Sequence, residues 1–313
     1  MMKSKKDFPL KDYYSKIFEK YDLVNRVFTF GQDVKWRRKA VEECLQNNPS
    51  EFLDICTGTG DLVIDIARSA GREIELHGYD FSAEMLQKAK EKAAGNNAGG
   101  AAKPGTGEAA EAGTGEAAAE ADGTKEAAAE AAGTKEAARK GTGKAAGKAA
   151  GKAASKAAAN PAGKGTGKAA AITFTEGDVA SMPYADNTFD TAGITFGIRN
   201  LVYENTNADR HLAEIRRVLR DYGRLVILES SKPDNRIWRF FNNMYLQLIL
   251  PWLGGFISGN FKAYRYLARS SKNYYSKKEM SAILEKAGFL TVRSKSLFLG
   301  SVMLIVAEKQ VTS

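Results

Sequence analysis

The sequence predicts an α/β protein built on a doubly wound, mostly parallel sheet, and three observations predict it. Apolar, strand-like runs at 51–55, 73–79, 172–177, 189–196 and 223–229 alternate with helical stretches, the arrangement of successive β-α units. The first run enters the tight turn Gly58-Thr59-Gly60, and the second ends on a carboxylate, Asp80. Toward the C-terminus a helix at 276–287 precedes two apolar runs, 289–298 and 301–308, joined at Leu299-Gly300. Those two read as an antiparallel hairpin added at the sheet edge, giving seven strands in all.

Taken in order, residues 10–47 read as helical, because Tyr13, Tyr14, Ile17, Phe18, Tyr21, Leu23 and Val24 fall near helical spacing. They form an N-terminal helical cap on the sheet or a lid over a ligand, two compatible readings. Helices are expected at 60–69, from 82 to about 92, and at 206–220. Between the second helix and the third strand lies a segment of another kind. Residues 93–171 contain no Val, Ile, Leu, Phe, Met, Trp or Tyr, and Gly-Thr recurs through them. With no apolar face and only short Ala-rich stretches between glycines, this segment is expected to be a disordered surface insertion. The domain is therefore 1–92 plus 172–313, and without the 79 residues between them it has 234, enough for one sizeable core.

The chain carries a formal net charge of +9, of which the insertion supplies +3. That surplus suits an anionic membrane surface or a nucleic acid without requiring either, and no nucleic-acid partner is expected. Cys44 and Cys56 are too few and too badly spaced for a disulfide framework or a zinc site. His77 falls in a strand and His211 in a helix, so no metal site is expected on them. The N-terminus has basic residues without a following apolar run, and the apolar stretch 237–257 is broken by Arg239, Asn242, Asn243, Gln247 and Pro251. Neither reads as a signal peptide or a membrane span, so a cytoplasmic protein is expected.

The turn suggests a ligand. Gly58 and Gly60 let the backbone reverse and a ligand come close. Asp80 lies 22 residues beyond Gly58, where a second parallel strand would bring its carboxylate to a ribose diol. A dinucleotide fingerprint would place a third glycine at position 63, and that residue is Val63. A nucleoside without a diphosphate fits better, with S-adenosyl-L-methionine the first candidate and a purely structural β-α turn the alternative.

Longer strings carry a more specific resemblance. They are Tyr21-Asp-Leu-Val-Asn-Arg, Trp36-Arg-Arg-Lys-Ala40, Leu53-Asp-Ile-Cys-Thr-Gly-Thr-Gly-Asp61 and Asp80-Phe-Ser-Ala-Glu-Met-Leu86. Met182-Pro-Tyr-Ala-Asp-Asn-Thr-Phe-Asp190, Thr195-Phe-Gly-Ile-Arg-Asn200, Leu228-Glu-Ser-Ser-Lys-Pro233 and Ala263-Tyr-Arg-Tyr-Leu267 follow. In this order they resemble the ubiquinone/menaquinone biosynthesis C-methyltransferase family over nearly everything outside the insertion. Thr57 and Asp221-Tyr222-Gly223 depart from the family pattern, but neither is expected to touch a ligand.

The resemblance implies a class I, Rossmann-like fold and transfer of a methyl group from S-adenosyl-L-methionine to a ring carbon of a polyprenyl hydroquinone. Gly58, Thr59 and Gly60 would pass under the methionine and ribose, Asp80 would accept the ribose hydroxyls, and Asp54 would order the turn or reach the amino group through water. Asp178 would hold the adenine amine, Val179 would pack its ring, and Thr195 would face the crevice. Arg199 would stabilise the phenolate of the substrate electrostatically, since a guanidinium is a poor base. Asn200 and Tyr21 would orient that oxygen or relay a proton.

Plainer roles stand beside these. Asp178 can be a loop carboxylate, Arg199 can pair with a neighbouring acid, and the aromatic stretch 236–266 can be helix-packing core rather than an interfacial lid against lipid. A homodimer is compatible with the sequence. Rival functions are the ubiquinone-pathway methylation, methylation of a small phenol, and a non-enzymatic binding module with a basic nucleic-acid arm.

Overall fold

The computed structural model describes residues 21–98, 171–272 and 274–311. Seven strands form one sheet in the order β3-β2-β1-β4-β5-β7-β6. They are β1 (Glu51–Ile55), β2 (Glu75–Asp80), β3 (Ile172–Glu176), β4 (Phe189–Thr195), β5 (Leu219–Ser230), β6 (Phe289–Leu297) and β7 (Val302–Lys309). The first five are parallel, and β7 runs antiparallel between β5 and β6. The expected C-terminal hairpin is therefore present, with its second strand as the inner one. Strand order reverses between β1 and β4, so a crevice opens beyond their C-terminal ends, where open α/β sheets bind ligands.

Helices α1 (Tyr21–Phe28), α2 (Gln32–Cys44), α3 (Asp61–Ser69) and α4 (Ala83–Ala98) come before the third strand. After β4 come α5 (Ile198–Val202) and α6 (Ala208–Val218), and α10 (Lys277–Lys286) precedes β6. One apolar core packs α5, α6 and α10 against the sheet through Ile198, Leu212, Ile215, Met280 and Leu284. The other packs α2 and α3 on the opposite face through Trp36, Val41, Leu62 and Ile66. Strands β1, β4 and β7 are buried on both faces along nearly their whole length, as parallel-sheet interiors are.

The helical stretch expected at 10–47 is two helices broken at 29–31 and ending at Cys44, its residues 10–20 lying outside the described residues, and two further boundaries differ from expectation. Helix α4 continues to Ala98, six residues into the low-complexity segment, because Ala93 and Ala94 extend the helix at no propensity cost. Strand β5 begins at Leu219, not 223. A register shift against β4 between Phe189 and Thr191 absorbs the stretch around Asp221-Tyr222-Gly223, where Tyr222 takes φ 61°.

Residues 236–272 form a helical layer: α7 (Arg236–Met244), a π-helical turn (Tyr245–Ile249), α8 (Leu250–Ser258) and α9 (Phe261–Lys272). Asn235 caps α7, its side chain accepting from the backbone N–H groups of Ile237 and Trp238. A small separate core of Phe28, Leu250, Tyr264 and Ala268 joins this layer to α1. Tyr245 adds a hydrogen bond from its hydroxyl to the Phe28 carbonyl at 2.7 Å. Among the described residues no helix is long and apolar enough to cross a membrane.

Candidate active site

The site is built on the turn after β1. Gly58 sits at φ 55° and Gly60 at φ 81°, conformations costly for residues with a Cβ. A Cβ on Gly58 would meet nothing within 4 Å, so the backbone there lies open to the crevice. Gly60 plays another part. It lines neither of the two cavities beside the turn, and a Cβ on it would come within 3.0 Å of the Ala89 Cβ, so its smallness seats α3 against α4. Asp54 is fully buried beneath the turn and accepts from the Thr57 hydroxyl at 2.6 Å and the Val63 N–H at 3.2 Å. It orders the turn, and Thr57 points inward to it. Burial pushes the Asp54 carboxyl up to about 7, against the lowering effect of those two donors.

At the end of β2, Asp80 is buried and accepts from the Gly58 N–H at 2.9 Å and the Ser82 N–H at 3.0 Å. Burial raises its carboxyl above the ordinary value, and these backbone donors oppose the shift. Asp80 forms one wall of a chamber of about 560 Å³, with Phe81, Met85, Val179 and Leu201 as apolar walls and Asp178 and Asn200 at its polar side. The Asp178 side chain is 71% exposed and accepts from the Ala180 N–H at 2.9 Å. His211 Nδ1 lies 2.8 Å from the Leu201 carbonyl, which can only accept, so this nitrogen carries the proton and Nε2 faces Asp178 at 3.6 Å. An open glycine backbone, an oriented carboxylate and apolar walls around a polar edge suit an adenosyl group.

A second chamber, about 250 Å³, lies under α1, α2 and the 236–272 layer. Phe28, Trp36, Tyr245, Leu246, Leu250, Tyr264 and Phe298 make it largely apolar. Cys56, Gly58, Thr195 and Phe196 line both chambers and mark where they meet. Arg199 is buried beside that junction, in the first turn of α5. Its Nη1 donates to Ser271 Oγ at 2.5 Å, and its backbone N–H donates to Glu229 Oε2 at 3.3 Å. Glu229 is fully buried at the end of β5.

Of the residues anticipated from sequence, Gly58, Asp80, Asp178, Val179, Thr195 and Asn200 line the larger chamber, and Thr59 and Arg199 line the apolar one. Thr59 is already engaged, donating to Asp22 and accepting from Lys92 at 2.8 Å each. Consecutive Arg199 and Asn200 therefore face different chambers. The Tyr21 side chain lies outside the described residues; its backbone begins α1. Sequence reasoning missed Asp22, Arg37, Glu229 and Ser271. Asp22, Arg37 and Glu229 lie inside the strings that carry the family resemblance, whereas nothing around Ser271 marks it.

Away from the crevice, at the other end of the sheet, ligand atoms of Glu51, Glu75 and His77 lie within 4.8 Å of one another.

Sheet order, and the paired chambers where that order reverses, define the class: an S-adenosylmethionine-dependent methyltransferase of class I. The same fold appears in the [4+2]-cyclase SpnF, 12% identical with a TM-score of 0.53 over 97% of this chain and 96% of that one. It appears again in the magnesium protoporphyrin IX methyltransferase of Synechocystis PCC 6803, crystallised with bound S-adenosylhomocysteine. That chain is 14% identical, with a TM-score of 0.50 and coverage of 96% and 98%. The protein belongs to the ubiE/COQ5 methyltransferase family, which matches residues 1–103 and 149–309. Among similar proteins, the demethylmenaquinone methyltransferase of Thermus thermophilus is 30% identical over 297 residues, 95% of this chain and 99% of that one. The ubiquinone/menaquinone biosynthesis C-methyltransferase of Geobacter sulfurreducens is 27% identical over 300 residues, 96% and 88% of the two chains.

Proposed function

We propose that this enzyme methylates a ring carbon of a polyprenyl hydroquinone, converting demethylmenaquinol to menaquinol. The observation that carries the reading is the buried Arg199 guanidinium beside the junction of an adenosyl-sized chamber and an apolar one. Menaquinone is in the name of each of these relatives, alone in those of Thermus, Thermotoga and Deinococcus and beside ubiquinone in that of Geobacter, which supports the naphthoquinol ring over a benzoquinol.

Bound in the larger chamber, S-adenosylmethionine supplies a methyl group already activated by its sulfonium. Asp80 would accept the ribose hydroxyls, Asp178 would take the adenine amine, Val179 would pack against the base, and the Gly58-Thr59 backbone would carry the rest. Arg199 holds the hydroquinone as its phenolate, which pushes electron density onto the neighbouring ring carbon. Replacing ring hydrogen by methyl releases a proton to water; Tyr21 would orient the ring oxygen and relay protons, whereas Asn200 lines the cofactor side. The aromatic walls of the apolar chamber receive the ring and the start of its prenyl tail.

The outer face of the 236–272 layer suits a peripheral contact with the membrane that holds such a substrate. Phe240, Trp252 and Phe256 stand exposed there, the last at 87%. From Asn235 to Lys278 there are eight Lys or Arg and no Asp or Glu, a charge pattern matched to anionic headgroups.

Arg199→Lys tests the reading. Lysine keeps the charge but loses the planar fork, so turnover of a short-tailed demethylmenaquinol should fall about 100-fold. Affinity for S-adenosylhomocysteine should stay within about threefold of the wild type, since the changed contact is to substrate. Collapsed cofactor affinity with normal turnover would instead assign Arg199 to the cofactor.

A further inference from the structure

We propose that Ser271 is a positioning residue for Arg199. From helix α9 it sets the guanidinium, so the charge that stabilises the phenolate is in place only when the lid helices are docked. The inference rests on the hydroquinone reading above and adds a residue and a coupling to it.

Arg199 is held at two points by different parts of the molecule. Its backbone belongs to the sheet: the N–H donates to Glu229 at the end of β5, and the carbonyl accepts from the Tyr203 N–H at 3.0 Å. Its tip belongs to the lid, since Nη1 donates to Ser271 Oγ across 72 residues of sequence. Both side chains are buried, Arg199 at 4% and Ser271 at 8% exposure.

Ser271 completes a stripe on α9. Among the residues of α9 whose side chains are described, Tyr264, Ala268 and Ser271 are buried, at spacings of four and three along one face. Tyr264 and Ala268 are apolar partners of Phe28 and Leu250 in the small core between lid layers. An alanine would continue that stripe equally well, so packing does not explain a hydroxyl at 271. A charged donor does. Because the Ser271 oxygen accepts from Arg199, its own proton is directed to another acceptor. Ser271 also lines the apolar chamber, where a phenolate oxygen is the acceptor the reaction brings. One hydroxyl would then bond to the guanidinium and to the oxygen it stabilises, and would lower the pKa of the bound hydroquinone.

The experiment uses the full-length enzyme with a short-tailed demethylmenaquinol and compares Ser271→Ala with Ser271→Thr. Ser271→Ala should lower kcat about 10-fold, the effect of losing one charge-assisted hydrogen bond. The acid limb of its kcat–pH profile should move upward by about one unit, a tenfold change in phenolate fraction. Ser271→Thr, which keeps the hydroxyl, should restore both to within about threefold. Affinity for S-adenosylhomocysteine should not change in either variant. The position of the pH limb does not depend on how much enzyme is folded, so it remains decisive if Ser271→Ala loses stability. An active wild type with an unmoved pH limb in Ser271→Ala overturns the positioning role and leaves the hydroquinone reading standing. A wild type that methylates no hydroquinone overturns both.

Discussion

The Thr59 hydroxyl donates to Asp22 Oδ1 at 2.8 Å, joining the lid helix α1 to the glycine turn. Lys92, from α4, completes the clamp: its Nζ lies 2.6 Å from Asp22, 2.8 Å from Thr59 and 2.7 Å from Asp61. Burial opposes ionisation of Asp22, but Lys92, Thr59 and Lys88 outweigh it and hold its carboxyl below the ordinary value. Arg37 extends the chain of charges from Asp61 to Asp65. The glycine turn and α1 are therefore held together by one cluster of charges.

Lys92→Met should loosen that clamp. The groups are partly exposed, so the ion pairs contribute at most about 1 kcal/mol, and the dissociation rate of S-adenosylhomocysteine should rise several-fold. Stopped-flow displacement would measure it, and the effect should shrink as salt weakens the wild-type pair. An unchanged rate at low salt would mean that the lid does not gate the cofactor.

Asp80→Ala removes the proposed acceptor for the ribose and the observed acceptor for the Gly58 and Ser82 N–H groups. Binding of S-adenosylhomocysteine should weaken at least ~10-fold, since each charge-assisted bond lost is worth roughly 1.5–3 kcal/mol. Calorimetric titration reads this directly, and an unchanged Kd would remove Asp80 from the site.

Asp54 makes a pH prediction with a definite sign. In the folded chain it keeps its proton up to about 7, whereas its ordinary value is 3.8. Between those values the folded state binds more protons than the unfolded one, so this group's contribution to stability falls as pH rises. Asp54→Asn cannot ionise, so its melting temperature relative to wild type should improve from pH 4 to pH 8. A constant difference across that range would mean that Asp54 titrates normally.

At the lid surface, Trp252→Ser combined with Phe256→Ser should leave methyl transfer to a soluble, short-tailed quinol unchanged. With long-tailed substrate in phosphatidylglycerol vesicles the same variant should lose several-fold in rate, because two exposed aromatic side chains are removed. Equal rates for variant and wild type on vesicles would argue against the membrane contact.

Residues 99–170 should be replaceable by a short Gly/Asn/Ser loop, because a helix-to-strand connection ordinarily takes a few residues. A chain segment with no large apolar side chain has little to offset its ordering entropy. Melting temperature and soluble-substrate turnover should match the full chain, and a large drop in either would show that the segment packs on the domain.

Much of this was legible in the sequence, because burial on both faces writes strands as apolar runs and the glycine turn lies beside one of them. Asp80 ends β2, Asp178 lies just beyond β3 and Arg199 opens the helix after β4, so order along the chain is enough to bring them to the same edge of the sheet. Ser271 was not legible: its role depends on how α9 lies over the sheet, and no local spacing records that. The packing part of Gly60 was not legible either, since a glycine that makes room for Ala89 looks the same in sequence as one that makes room for a ligand. The start of β5 was hidden because a bulge lets Asp221-Tyr222-Gly223, a turn by composition, sit inside a strand.

Strands β2 and β3 pair in register, with Asp80 opposite Glu176, although the long low-complexity segment lies between them in sequence. The chain before that segment carries Asp80 and the glycine turn, and the chain after it carries Asp178, Val179 and Arg199. Neither portion can assemble the adenosyl chamber alone, and they meet along the β2–β3 and β1–β4 ladders and through both apolar cores rather than through a ligand. The enzyme is thus divisible in principle into two complementing fragments, with methyl transfer as the signal that they have found each other.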